Sequence, residues 1–217
     1  MSSKDVILGR IRTALKDVTD SNVETDAPIN WTYGQPDDFI TDVIGTFVEN
    51  VEDYKATVLR TSQGELAATI ANALKDRDAK SVVIPSGIPD EWTDTIRSAG
   101  LEVHFDEPLL TNYELDKIDA VVTGSFVSVA DTGTVILNHD PDQGRRALSL
   151  VPDLHICVVR ADQVVSGVPE AITMLQEPIR RGQPATWISG GSATSDIELN
   201  RVEGVHGPRT LVVVLVE

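Results

Sequence analysis

The sequence SVVIPSGIPDEWTDTIRSAGLEVHF, residues 81–105, contains two short apolar runs on either side of an amphipathic segment. The run at 81–84 is rich in β-branched residues and predicts a strand, which the prolines and glycine after it break. Residues 89–99 predict a helix, and Gly100 stands where a left-handed C-terminal cap is expected. Residues 101–105 return to a strand pattern. A strand, a helix and a strand in this order are typical of a parallel βαβ unit.

The alternation of strand and helix continues on both sides of this unit. Ser62 and Glu65 have capping-box spacing ahead of a predicted helix that begins at Leu66, and a further helix is predicted between 169 and 180. The stretch from Gly133 to Leu137 adds an antiparallel hairpin. Other strands are predicted at 56–59, 120–123, 134–137, 156–159, 185–188 and 211–216. The pattern therefore predicts an α/β fold with a mostly parallel sheet and helices on both faces.

The first 50 residues have a different organisation. An amphipathic helix is predicted to begin near residue 3. The segment 19–36 has few apolar residues and is predicted to be a linker. A second helix, from about Asp37, carries an apolar face that includes Phe39, Phe47 and Val51. We therefore expect an N-terminal helical extension over 1–50, followed by an α/β domain over 51–217. Whether these helices pack on that domain or on a partner subunit stays open.

Composition and charge restrict the class of partner. The 18 basic and 34 acidic side chains give a net charge of −16, which opposes binding to nucleic acid or to an anionic membrane. No apolar run approaches the roughly 18 residues typical of a membrane span, and the N-terminus has no continuous apolar stretch. We therefore expect a soluble cytoplasmic protein without membrane insertion.

Cysteine and histidine usage restricts the chemistry. Cys157 is the only cysteine, so the chain has no internal disulfide and cannot alone supply the roughly four thiolates of an iron–sulfur cluster. The histidines are scattered without metal-ligand spacing. We therefore expect no metal and no cofactor in this chain.

Three loops dense in small polar residues follow or precede predicted strands. We name them the turn loop (123–134), the serine loop (189–196) and the histidine loop (204–209). Glycines let the backbone approach a ligand closely, and free amides at the start of a helix predicted from Asp196 favour an anion. The candidate ligand-binding residues in these loops are Thr123, Gly124, Thr132, Gly133, Thr134, Gly190, Gly191, Ser192, Thr194, Ser195 and Gly207. We expect the loops to converge on one pocket at the ends of the sheet, with a small anion near Ser192–Ser195.

Each loop also has a purely structural interpretation. The serine loop can be an ordinary capped turn between a strand and a helix, and the turn around Asp131 can be a simple hairpin turn. Asp131 and His206 are the candidate catalytic residues, as carboxylate base and proton donor, although His206 can equally be a turn residue bonded to backbone. Arg145, beside Arg146, either pairs with a nearby carboxylate or clamps the carboxylate of a ligand.

Taken together, four motifs resemble the LUD-domain family, and in particular its lactate-utilisation type. They are ADTGTV (130–135), GRRA with LVPDLH (144–155), ISGGSATSDIE (188–198) and GVHGPR (204–209). Their order and spacing cover roughly 123–217. Two positions depart from the family pattern: Asp131 stands where members often carry glutamate, and Gly191 where they often carry proline.

The resemblance implies a three-layer α/β/α sandwich like that of the NagB/RpiA/CoA-transferase group. It also implies a role in bacterial oxidation of L-lactate to pyruvate, as an accessory subunit beside separate iron–sulfur subunits. The ligand would be a small organic acid or a phosphate-containing molecule. Two alternatives stay open: a free-standing isomerase or acyl-transfer enzyme that uses Asp131 or His206, and a non-catalytic interaction protein. The sequence is therefore compatible both with an enzyme and with a subunit that has no activity of its own.

Overall fold

The computed structural model of the chain describes residues 3–16, 39–195, 201–204 and 206–217, with only the backbone described at 194–195 and 201–203. The chain divides into two compact units, residues 1–33 and 34–217. The first unit contains helix α1 (Ser3–Ala14), in which no side chain is buried. No helix in the described part of the chain is long and apolar enough to cross a membrane.

The second unit is built on a six-stranded sheet in which every pair of neighbours is parallel. Its strands, in spatial order, are β1 (Thr57–Thr61), β12 (Thr210–Val216), β7 (Leu154–Arg160), β4 (Ala120–Thr123), β2 (Ser81–Ile84) and β3 (Glu102–Phe105). The predicted βαβ unit is confirmed, with helix α4 at Asp90–Ser98 between β2 and β3. Gly100 has φ +89°, as expected of a left-handed cap.

Two smaller sheets accompany the large one. A four-stranded sheet has the order β8 (Val164–Val165), β5 (Val127–Val129), β6 (Thr134–Leu137) and β9 (Thr186–Ile188). A two-stranded antiparallel sheet is made of β10 (Ala193–Ser195) and β11 (Arg201–Glu203). The expected antiparallel hairpin is confirmed as β5–β6. The strand predicted at 185–188 also exists, but it pairs with β6 in the small sheet, since periodicity does not specify a strand's neighbour.

Alternate residues of the large sheet point into two separate cores because successive strand side chains face opposite sides. On one face Val82, Ile156 and Val214 pack against helix α3 (Leu66–Asp76) and α4. On the other face Cys157, Val213 and their neighbours pack against helix α2 (Val43–Asp53) and the β5–β6 hairpin. Helix α5 (Asn112–Leu115) covers the same face near β2 and β4. Helix α6 (Val168–Arg180) covers the outer side of the four-stranded sheet. This is the expected layered α/β sandwich, with the small sheet inside one outer layer.

The helix starts differ in detail from the sequence predictions. Helix α2 begins at Val43 rather than near Asp37, because the Asp42 carboxylate accepts the Gly45 N–H at 2.8 Å and caps it. The expected boundary between residues 50 and 51 falls inside this helix. The capping box expected at Ser62 and Glu65 is wrong: α3 begins at Leu66, and Glu65, its N-cap, makes no side-chain capping bond.

Candidate functional site

Three hydrogen bonds among the described residues join the serine loop to the histidine loop. The Ser192 amide donates to the Pro208 carbonyl at 2.8 Å, and the Gly204 amide donates to the Ser192 carbonyl at 2.9 Å. The Ser192 hydroxyl also accepts the His206 amide at 3.1 Å. Ser192 is therefore the residue that joins the two loops, which supports the expectation that they meet.

These two loops line a cavity of about 350 Å³. Its described lining includes Ser189–Ala193 and His206–Pro208, with Arg146 beside them. Its inner wall includes His155 and Leu211, each the second residue of its strand, so the cavity lies near the amino-terminal edge of the large sheet. Hydroxyls, backbone and one cation thus surround a space large enough for a small organic anion.

The turn loop touches the serine loop but does not line this cavity. Thr134 and Ser189 share a hydrogen bond between their hydroxyls at 2.7 Å, and Thr132 and Thr134 share another at 2.7 Å. Thr132–Thr134 are not among the residues around the 350 Å³ cavity. The turn loop therefore supports the base of the serine loop.

Helix α2 fixes the tip of the turn loop. The Asn50 amide group donates to the carbonyls of Ala130 and Asp131 at 2.8 and 3.0 Å. Gly133 has φ +56°, and a Cβ there would lie 2.6 Å from the Asn50 carbonyl carbon. Asp131 itself is exposed. Its backbone is held, while its carboxylate lies outside the cavity lining.

The remaining predicted site residues form three groups, of which the last lies at the 350 Å³ cavity. Thr123 is fully buried at the end of β4, and Gly124 lines a separate, smaller cavity. The backbones of Thr194 and Ser195 lie in β10, and the helix predicted from Asp196 lies outside the described residues. His206 is exposed and Gly207 is half-buried, and both line the 350 Å³ cavity.

Arg145 is used within the protein. Its guanidinium donates two hydrogen bonds to the Asp106 carboxylate, at 2.6 and 3.0 Å, and another to the Leu110 carbonyl. Burial opposes ionisation of Asp106, but the bonds from Arg145 and from the Leu110 amide outweigh it and hold the pKa of that carboxyl below its usual value. Arg146, by contrast, is exposed and forms no ion pair with a described residue. Of the two arginines, Arg146 is the one placed at the cavity.

Close packing explains the two glycines of the serine loop. Gly190 has φ +83°, and a Cβ there would lie 2.7 Å from the Tyr54 carbonyl oxygen. A Cβ on Gly191 would lie 2.3 Å from the Arg209 carbonyl oxygen. Both positions need glycine for the fold itself, so a Gly190→Val change would disturb packing before it reported on binding.

His155 is a site residue that the sequence did not single out. It is 1% exposed, its Nε2 lies 2.8 Å from the Thr123 hydroxyl, and its Nδ1 has no hydrogen-bond partner among the described residues. Burial lowers the pKa of His155 to about 4, so the ring is neutral near pH 7. Its signal in the sequence is a lone polar residue within the apolar run LHICVV.

Cys157 lies two residues further along β7 and is fully buried. Burial raises the pKa of its thiol to about 12, so it is a packed apolar residue in the core. Among the described residues no group of three or more His, Cys, Asp or Glu side chains is arranged to hold a metal ion.

A parallel six-stranded sheet with helices on both faces, and a cavity lined by the glycine-containing serine and histidine loops, defines an α/β protein with a loop-built cavity. The chain matches the LUD domain family over residues 44–216 and belongs to that family.

Several curated relatives and solved structures are similar to this chain. A protein named "Lactate utilization protein C" from Deinococcus radiodurans is 51% identical over 175 residues, which cover 81% of this chain and 80% of that protein. A protein of the same name from Geobacillus kaustophilus is 27% identical over 73% of this chain and 71% of its own length. The crystal structure of a DUF162 family protein from Deinococcus radiodurans is 44% identical, with a TM-score of 0.69, over 81% of this chain and 96% of that one.

Proposed function

We propose that this chain acts in bacterial lactate utilisation, as a cytoplasmic accessory subunit of a system that oxidises L-lactate to pyruvate. The observation that carries the proposal is the 51% identity to a protein named for lactate utilisation, over about four fifths of both chains. Separate iron–sulfur subunits are the proposed partners. The single cysteine, which is buried and has a raised pKa, supports a role in which other subunits carry the electrons.

The proposed ligand of the serine and histidine loops is a small organic anion. Arg146 supplies positive charge at the cavity, and Ser189 and Ser192 supply hydroxyl groups. The net charge of −16 does not oppose this, because charges more than about 10 Å away are largely screened by salt while a contact with Arg146 is not. The cavity of about 350 Å³ accommodates a three-carbon acid with its water.

Gene deletion with complementation tests the role in lactate utilisation. We expect a bacterium that encodes this chain to lose growth on L-lactate after deletion and to keep growth on pyruvate. Re-expression of the wild-type chain should restore growth, and the purified complex should contain iron–sulfur subunits. Unchanged growth on L-lactate after deletion would contradict the role, whatever ligand the chain binds.

Thermal stabilisation tests the ligand separately. A ligand at 100 times its dissociation constant adds about 2.7 kcal/mol to the free energy of unfolding. We expect L-lactate or phosphate to raise the melting temperature of the wild-type chain, and Arg146→Met to remove most of that rise. Arg60→Met is the matched control, because Arg60 pairs with Glu217 on the surface, away from the cavity lining. Equal stabilisation of the wild type and Arg146→Met would contradict the assignment of Arg146.

A further inference from the structure

A second cavity lies at the opposite, carboxyl-terminal edge of the large sheet, between β2 and β4. These two strands pair through only two residue pairs, Val82 with Ala120 and Val83 with Val121, and their ends then separate. The chain leaves β2 toward the face covered by α4 and leaves β4 toward the opposite face, where β5 and β6 lie. Two loops that diverge in this way form a topological switch point, the place where open α/β sheets bind ligands.

The backbone amides at this switch point are already occupied by the protein itself. The Gly87 amide donates to the Pro141 carbonyl, and the Gly124 amide donates to the Asp142 carbonyl, both at 2.9 Å. A Cβ on Gly87 would lie 2.4 Å from the Pro141 carbonyl carbon, and one on Gly124 would lie 2.1 Å from Asp142 Oδ2. Glycine at these two positions therefore leaves room for residues 141–142 to pack closely, and this packing places the Asp142 side chain in the crevice.

The segment that carries Asp142 is rigidly built. The Gln143 side-chain oxygen, in a residue only 2% exposed, accepts the amides of Asn138 and His139 at 2.7 and 3.1 Å. The Asp140 carboxylate accepts from the side chains of Asn138 and Gln183, each at 2.8 Å. Asp142 itself receives one longer bond, from the Gln143 amide group at 3.3 Å. The backbone that carries Asp142 is thus fixed by its neighbours, while the Asp142 carboxylate keeps the capacity to accept a hydrogen bond from a ligand.

The cavity around Asp142 has a volume of about 110 Å³ and chemically distinct walls. Trp92 and Val158 are apolar, Ser125 and Gln163 are polar, and Arg160 is an exposed cation that forms no ion pair with a described residue. Since one water occupies about 30 Å³ of liquid volume, the space holds about four water molecules and admits only a small ligand.

We propose that this crevice is a second ligand site for a small 2-hydroxy acid, whose carboxylate pairs with Arg160 and whose hydroxyl donates to Asp142. A short apolar substituent on the acid packs against Trp92. The choice of L-lactate as the probe rests on the proposed function, while the location of the site does not. Burial raises the pKa of Asp142, as expected for a carboxyl group in an enclosed binding site.

An NMR titration of the full chain tests the site. We expect added L-lactate to shift the backbone amide signals of Gly124, Ser125 and Arg160, and propionate, which lacks the hydroxyl, to bind about tenfold more weakly. Asp142→Ala should remove this preference for L-lactate over propionate. Arg160→Met should weaken both acids by about tenfold or more. Asp94→Asn, on the exposed side of α4, is the control and should change neither.

The outcomes separate this proposal from the loop site. Shifts confined to Gly190, Ser192 and Gly207 would support the loop site and overturn the crevice site. An unchanged preference for L-lactate in Asp142→Ala, or unchanged affinity in Arg160→Met, would also overturn it. Shifts at Gly124 and Arg160 without shifts in the serine loop would support the crevice site and contradict ligand binding at the loops.

Discussion

His155 makes the stability of the fold depend on pH. Its pKa is about 4 in the folded chain and about 6.5 when unfolded, so between these values the unfolded chain binds a proton that the folded chain does not. The free energy of unfolding should therefore fall as the pH is lowered from about 6.5 to about 4, by about 3 kcal/mol in all. Urea unfolding at a series of pH values measures this slope.

Two variants show whether His155 is the source. His155→Gln should flatten the slope between pH 4 and 6.5, whereas His104→Gln, on a half-exposed ring, should leave it in place. The carboxyl group of Asp119 titrates at lower pH, because hydrogen bonds from the backbone amides of Lys80 and Ser81 outweigh its burial and hold its pKa below the usual value. An unchanged slope in His155→Gln would show that another group titrates there.

Substitutions at Gly190 and Gly182 distinguish the cost of backbone strain from the cost of a close contact. Both have positive φ, at +83° and +82°, but a Cβ meets the Tyr54 carbonyl at Gly190 and nothing within 4 Å at Gly182. Gly182→Ala should cost about 1–2 kcal/mol, from strain alone. Gly190→Ala should cost about 1–3 kcal/mol more, from overpacking. Equal costs in chemical denaturation would argue against a tight contact between the serine loop and Tyr54.

Helix α2 belongs energetically to the α/β unit. Phe47 is fully buried among residues from the large sheet and the hairpin. Phe47→Ala should lower the free energy of unfolding by about 3–5 kcal/mol. Tyr113→Ala, at an aromatic residue 85% exposed on α5, should change it by less than about 0.5 kcal/mol. A small effect at Phe47 would mean that α2 is only loosely attached.

At the level of secondary-structure elements, the sequence predicts whether a segment is a helix or a strand better than it predicts where the segment begins or what it pairs with. Strands β2, β4 and β12 and helices α4 and α6 follow from β-branched runs and helical spacing. The start of α2 does not follow from the sequence. Phe39 fits the helical spacing, and nothing in the sequence shows that Asp42 is the N-cap and not a residue inside a longer helix. The pairing of β9 with β6 does not follow from the sequence either, because strand pairing depends on contacts between residues that are distant in the sequence.

The candidate sites were predictable only where composition is unusual. Hydroxyl- and glycine-rich stretches marked the serine and histidine loops, and these two meet in the structure. His155 and Asp142 do not lie in stretches of unusual composition. His155 interrupts an apolar strand, and Asp142 lies in an ordinary turn sequence. Their surroundings come from the burial of β7 and from the approach of 141–142 to Gly87 and Gly124.

For the whole molecule, residues 1–36 should be dispensable for folding. Helix α1 buries none of its side chains, and the second compact unit begins at Gly34. A chain that starts at residue 37 should keep a single cooperative thermal transition by circular dichroism, within about 1 kcal/mol of the full chain. A broad or lost transition would place the first helix within the folding unit.

The position of β12 between β1 and β7 has a consequence for the order of events during synthesis. Among the described strands, β1 pairs only with β12 in the large sheet, so it lacks this partner until Thr210–Val216 have left the ribosome. At about 5–20 residues per second, the stretch between Thr61 and Thr210 takes roughly 7–30 s to translate. During that interval the Thr57–Thr61 segment is a strand without its partner and can pair with other chains, so we expect chaperones to bind this segment before β12 is synthesised.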